Sequence, residues 1–467
     1  MTRTSGSIGG LSNAALAKAA IASATPIGAS IGDSIATADY NNSDQITPSS
    51  TTNWLKSAKG ILSWAMILSG QRVRVPTNTN VWGFPGEPSA TILANLPAFH
   101  AAMKAAGTSP SFMYVHCGTN DVGDGVPIAT IKANYTAIAL QNAQRNCRTI
   151  FGPILPRTSG FSALWTDAQF EVADRINRWL PAFAAQSQGI VAVASACLAD
   201  IADPASVGAQ PKTGYTYDGT HPAVAGGYFA GKAVATILRG WYPHLDVLPC
   251  NNLEWKAGLT NVNYIGNAMM EGTGGAATNS GTGSTTGNAP TGWSASGLTL
   301  TGLTCAHSQV VSPLSGRRMH QMAFSGGYTA SGYSQAAWGP NGRLFRNAIT
   351  ASLATIIAGD TVEALIEFEI DAGNTCIAFP HLQMRWKGSG NYNADMQLPD
   401  LVGGLPNEAI SGVLRTPFHN YAGGELPLSA GEVTLSAYGY LRAEAAVYAG
   451  VAGNLRFGRA VIQKVEA

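Results

Sequence analysis

Between Pro26 and Trp241 the chain alternates short apolar runs with longer stretches of helical period, and few architectures accommodate that pattern. Strands are predicted at Ile27 to Gly32, Arg72 to Val75, Phe112 to Cys117, Thr149 to Leu155 and Ile190 to Ala196. Helices are predicted at Asn53 to Ser69, Pro88 to Ala105, Pro127 to Ala143, Trp165 to Ala184 and Pro222 to Leu238. In the first of these, Trp54, Leu55, Ala58, Ile61, Leu62, Ala65 and Leu68 recur on one face. Pro88 and Pro222 stand where helices open, a place proline tolerates because the first amide has no partner. Strands alternating with helices predict an α/β domain, a parallel sheet covered on both faces.

The pattern stops after Trp241. Pro243, Pro249, Asn251 and Asn252 mark a linker, and beyond it Gly-, Thr- and Ser-rich turns separate short alternating runs. These runs include Leu298 to Leu303, Gln309 to Val311, Thr361 to Ile370, Leu382 to Trp386, Glu432 to Leu441 and Asn454 to Ile462. They predict an all-β sandwich or jelly roll. The expected division is an N-terminal arm over 1–25, an α/β domain over 26–242, a linker over 243–262 and the sandwich over 263–467. Within the arm, Ser12 or Asn13 is expected to cap a small helix running through Ala22. The Gly-rich stretch Gly272 to Gly287 lacks a G-K-[ST] signature and reads as a flexible connector.

Composition narrows the partners. Charged residues are only 12% of the 467 and the formal net charge is +1, with no basic block. Nucleic acid and anionic membrane are therefore poor candidates. No apolar run approaches the length of a membrane span, and the N-terminal segment lacks a strong apolar centre for a cleaved leader. The six cysteines are scattered without a C-x-x-C pair, and the eight histidines show no metal-ligand spacing. No metal or other cofactor is implied.

Four blocks carry chemistry. Gly32-Asp33-Ser34 closes a predicted strand, so a tight turn can present the serine oxygen while its own amide faces inward. Asp218 and His221 are three apart on one loop, a spacing that lets the carboxylate hold Nδ1 of the imidazole and leave Nε2 free. Asn120, in Gly118-Thr119-Asn120-Asp121, ends another strand and can donate to developing negative charge; an Asx-turn is the plainer role. Gly83-Phe84-Pro85-Gly86 offers two glycine amides, or simply turn glycines. His116 lies in an apolar strand and suits a hydrogen-bonded core histidine. Asp121, Asp124, Asp200 and Asp203 are alternative carboxylates for His221, but Asp218 is nearest in sequence.

Together and in this order, the blocks resemble the SGNH (GDSL-type) hydrolases over roughly residues 26 to 240, with Ile35 where the namesake motif has leucine. The resemblance implies a three-layer, flavodoxin-like parallel sheet. It implies Ser34 as nucleophile, His221 as base, Asp218 as its orienting acid, and Ser34 N–H, Gly86 N–H and Asn120 Nδ2 as oxyanion donors. Gly86 is preferred to Gly83 because it stands closer to the following helix. Asn267 to Trp293 is similar to the entry of β-sandwich carbohydrate-binding modules and of modules on bacteriophage tail proteins. The expected function is a serine esterase that removes O-acetyl groups from a polysaccharide, located outside the cell or on a phage tail, where a homotrimer would be natural. A non-catalytic glycan-binding adhesin is one alternative. A lipase or thioesterase is another, for which the loop Asp39 to Thr52 is too polar to serve as a lid.

Overall fold

A computed structural model of the chain describes residues 25–37, 52–53, 58–76, 78–206, 208–244, 247–252, 265, 267–278, 283–296, 300–330, 342–348, 361–386, 392–395, 404–416, 419–420, 433–442 and 446–465. The N-terminal arm as far as residue 24, with its expected small helix, and nearly all of the loop Asp39 to Thr52 lie outside them.

The first domain contains β1 (Gly28–Gly32), β2 (Thr52–Asn53), β3 (Val81–Gly83), β4 (Phe112–His116), β5 (Arg148–Phe151) and β6 (Val191–Val193). All but β2 form one parallel sheet in the order β3-β1-β4-β5-β6. The expected α/β class therefore holds, with both faces covered. On β4 the period of two decides which residue faces which layer. Phe112 and Tyr114 pack with helices Ile61–Leu68 and Val224–Trp241. Met113 and Val115 pack with helices Ser89–Ala105, Ile128–Ala143 and Asp167–Gln186. Each buried Phe, Met or Val here contributes about 1.5–3 kcal/mol through apolar burial. Helix Asp167–Gln186 begins at a capping box, where the Thr166 side chain and Gln169 satisfy each other's amides.

Two predicted elements differ. Arg72 to Val75 is not a strand; only Arg74 bridges, to Ile27 beside the start of β1. Pro76 has no N–H to continue the ladder, and β1 is instead paired further on by Val81–Gly83, with Gly32 opposite Gly83. Two pieces of chain thus share one edge, which a run-by-run reading cannot see. The helix predicted from Asn53 starts at Ile61, because Gly60 is extended and Thr52–Asn53 is recruited as a strand of the other domain's sheet.

The second domain is an all-β sandwich, as expected. It contains β7 (Ser284–Gly287), β8 (Trp293–Ser296), β9 (Leu303–Val311), β10 (Arg318–Ala330), β11 (Gly342–Ala348), β12 (Thr361–Ile370), β13 (Ile377–Trp386), β14 (Tyr392–Asp395), β15 (Ile410–Arg415), β16 (His419–Asn420), β17 (Val433–Leu441) and β18 (Ala446–Val465). One sheet runs β15-β12-β18-β10-β9-β7, with β16 joined to β12; the other runs β2-β14-β13-β17-β11-β8. Of the predicted run Leu298 to Leu303, residues 298 and 299 lie outside the described residues, and β9 begins only at Leu303 after a turn at Thr301 and Gly302. Nor is Gly272 to Gly287 wholly a connector: Ser284–Gly287 pairs parallel to β9, and Gly275 bridges Ala289.

The two domains share a core. Every residue of helix Ile61–Leu68 is buried, with Trp64 edge-on to Tyr228 at 5.4 Å on one side. On the other side, Ile67 lies against Gly412 of β15, where a Cβ would come within 2.9 Å of its carbonyl oxygen. An all-round apolar helix must be covered on all sides, and the sandwich supplies the missing side. Gln71 Nε2 donates to Val413 O at 2.6 Å. Lys232 Nζ meets Glu408 at 2.6 Å, and Tyr228 Oη donates to the same carboxylate. Val247 and Leu248, in the predicted linker, pack against Leu365 and Val461. On β12, Glu363 faces Arg415 at 2.6 and 2.9 Å, both side chains being buried.

Candidate active site

In an open parallel sheet, ligands bind at the carboxyl ends of two neighbouring strands from which the chain departs in opposite directions. Here that point lies between β1 and β4. Ser34 follows β1 after the single residue Asp33, as the first residue of a short helix, Ser34–Thr37. At that position the amide has no acceptor within its helix. Asp33 fixes the turn: its N–H donates to His116 O at 3.0 Å, and its Oδ1 accepts from Ile35 N–H at 2.9 Å. Burial pushes the Asp33 carboxyl up to about 7, opposed by the amide of Ile35 and reinforced by Asp121.

The loop before helix Val224–Trp241 brings the other partners. His221 Nε2 lies 2.8 Å from Ser34 Oγ, and Nδ1 lies 2.6 Å from Asp218 Oδ2. The second carboxylate oxygen accepts the backbone N–H groups of His221 at 2.8 Å and Thr220 at 3.0 Å. Burial alone would raise the Asp218 carboxyl. The His221 amide, the imidazole and the Thr220 amide outweigh it and hold the group below its ordinary value. Asp218 is thus a carboxylate at neutral pH, and it favours the tautomer with hydrogen on Nδ1. Nε2 is then the acceptor facing the serine hydroxyl.

Asn120 Nδ2 donates to Glu87 O at 3.0 Å, which ties its amide to the Gly83-to-Gly86 block and leaves a second hydrogen on the same nitrogen. Glu87 N–H donates to Phe84 O at 3.1 Å, closing a turn with Pro85 and Gly86 at its centre. Gly86 has φ +81°, the left-handed value that the third position of such a turn demands. Among the described residues, neither the Gly86 nor the Ser34 amide donates to a protein acceptor. Gly83, in contrast, is the strand residue paired with Gly32.

His116, Asp121 and Asp203 are engaged elsewhere. Tyr114 Oη is 2.9 Å from His116 Nδ1, and burial pulls that imidazole down to about 3, so it is neutral. Asp121 accepts from Ser89 N–H at 2.8 Å and Ser89 Oγ at 2.5 Å, and Asp203 accepts from Ala205 N–H at 2.9 Å. Asp124 is exposed, and Asp200 accepts Lys212 Nζ at its backbone carbonyl, at 2.6 Å. Burial raises the Cys147 and Cys197 thiols to about 12. Among the described residues no group of His, Cys, Asp and Glu is arranged to hold a metal ion, and no helix is long and apolar enough to cross a membrane.

Sequence reasoning missed the ring partners of His221. Tyr217 stacks on the imidazole at 5.6 Å, and Phe161 meets it edge-on at 5.1 Å. Tyr217 is close to His221 in the chain and could have been noticed. Phe161 comes from the loop after β5 and carries no local signal.

A parallel α/β domain with a hydrogen-bonded serine, histidine and aspartate at its switch point has the construction of a serine hydrolase. Residues 30–227 match the model of the GDSL-like Lipase/Acylhydrolase family, so the first domain is a GDSL/SGNH hydrolase domain. Among solved structures, the chain is similar to a lipolytic protein of the G-D-S-L family from Desulfitobacterium hafniense, at 15% identity over 45% of this chain and 99% of that one, with TM-score 0.33. A GDSL-like lipase from Bacteroides thetaiotaomicron matches at 16% identity over 48% and 96%, with TM-score 0.33. A catalytic mutant of Axe2, an acetylxylan esterase from Geobacillus stearothermophilus, matches at 15% identity over 46% and 94%, with TM-score 0.33. Comparison with curated proteins gave no match.

Proposed function

We propose that this protein is a serine esterase that removes short acyl groups, acetyl above all, from a polysaccharide. The observation that carries the reading is the unbroken relay from Ser34 Oγ to His221 Nε2 at 2.8 Å and from His221 Nδ1 to Asp218 at 2.6 Å. His221 takes the hydroxyl proton as Ser34 attacks the ester carbonyl, and Asp218 stabilises the imidazolium that forms. The developing oxyanion is held by Ser34 N–H, Gly86 N–H and Asn120 Nδ2, three neutral donors. His221 then returns the proton to the departing alcohol. Water, activated by the same imidazole, hydrolyses the acyl-enzyme and restores Ser34.

The glycan part of the reading rests on the sandwich fused to the hydrolase and on a chain poor in charge, whose polar surface must be built largely from Gly, Ser, Thr and Asn. A phage tail or a secreted bacterial esterase would carry such a surface to a glycan. The test is release of acetate from acetylated glycans by the protein and by Ser34→Ala, beside a long-chain ester. Acetate release lost in the variant supports the reading. Preference for the long chain, or tight glycan binding with no turnover of any ester, refutes it.

A further inference from the structure

We infer that Phe161 forms the leaving-group subsite of this site and selects esters whose alcohol is a sugar ring; the inference rests on the esterase reading above. His221 Nε2 must deliver a proton to the departing oxygen, so the alcohol portion of the ester lies against the imidazole as it leaves. Among the described residues, two aromatic rings touch that imidazole. Tyr217 is half-buried and already covered by the Lys59 ammonium, 4.4 Å from its centroid. Phe161 meets the imidazole at 5.1 Å with its plane at 81°, and it is 70% exposed.

A single exposed phenylalanine is ordinary on a protein surface, but this one is held to the catalytic loop. Phe161 N–H donates to Asp218 O at 2.6 Å, and Thr158 N–H donates to Gly219 O at 2.7 Å. Gly160 passes so close that a Cβ there would stand 2.1 Å from Asp218 O, which excludes any side chain. Next to it, Arg157 reaches Ser162 Oγ and lays its guanidinium over Trp165 at 4.7 Å. The ring is therefore positioned by the same backbone that positions the acid and the base. A fixed, open aromatic face suits a rigid ring with an apolar face and polar rim, which loses little internal freedom on stacking. A flexible alkyl alcohol gains less contact and loses more freedom.

The test uses the full chain and two acetyl esters that differ only in their alcohol, monoacetylated xylotriose and ethyl acetate. We expect Phe161→Ala to lower the ratio of the two kcat/KM values, sugar over ethyl, by about tenfold, mostly through KM. Phe161→Trp should keep the ratio within about twofold of wild type. A ratio unchanged in Phe161→Ala, with hydrolysis still dependent on Ser34, overturns this assignment alone. Hydrolysis of both esters that survives Ser34→Ala overturns the esterase reading and this assignment with it.

Discussion

Replacing Asp218 with asparagine probes the site through a single atom. Asp218 Oδ1 accepts two backbone amides, from His221 at 2.8 Å and Thr220 at 3.0 Å. An amide NH2 cannot occupy that position, because donor would face donor. The asparagine oxygen must therefore take it, which turns the NH2 toward His221 Nδ1, 2.6 Å away in the parent. Nδ1 then becomes the acceptor, the ring hydrogen moves to Nε2, and Nε2 can no longer take the proton of Ser34. The backbone geometry survives while the chemistry fails. Loss of the correct tautomer costs about 10³- to 10⁴-fold in kcat, or about 4–5.5 kcal/mol in the barrier. Steady-state hydrolysis of an acetyl ester by Asp218→Asn, with the melting temperature as a control, measures it. A loss below about tenfold in a folded variant would refute the argument, because His221 would then owe its tautomer to another group.

Other consequences follow from separate parts of the molecule. Asn120→Ala removes one of the proposed oxyanion donors and should lower kcat by about 10²- to 10³-fold with KM little changed, as read in the same assay. The Asp33 carboxyl ionises near 3.8 when exposed but holds its proton to about 7 in the fold. Its contribution to stability is therefore present at pH 4 and lost as pH rises through that window. Asp33→Asn should raise the melting temperature at pH 8 and bring no comparable gain at pH 4. Glu363→Gln removes the charge facing buried Arg415 and should cost about 3–5 kcal/mol in denaturant unfolding. Gly227→Ala drives a Cβ to within 2.2 Å of Lys59 O and should destabilise the protein by about 1–3 kcal/mol, seen as a lower melting temperature.

Local chemistry was legible in the sequence wherever neighbours in the chain are neighbours in space. Asp218 and His221 share one loop, and Phe112 to Cys117 reads as a buried strand because its apolar run ends at Gly118. Thr361 to Ile370 was legible as well, because half of its residues are β-branched or aromatic, and the whole run forms β12. Features that depend on distant segments were not. The edge of β1 is divided between Arg74 and Val81–Gly83, and neither stretch announces it. Asn53 leaves the helix predicted to start there because Thr52–Asn53 pairs with a strand 340 residues later (Thr52 against Tyr392). Phe161 reaches His221 only because Gly160 lets the loop pass over Asp218. The paired charges Glu363 with Arg415 and Glu367 with Arg459 join residues 52 and 92 positions apart. A single strand shows only an acidic residue in an apolar run.

The most direct test of nucleophilic attack by Ser34, with His221 as its base, is covalent labelling by an alkyl fluorophosphonate, followed by intact-mass and peptide mapping. One adduct should form, on the peptide containing Ser34, and the rate should fall sharply in His221→Ala. An adduct at another residue, or labelling of Ser34 that proceeds equally fast without His221, would contradict the account.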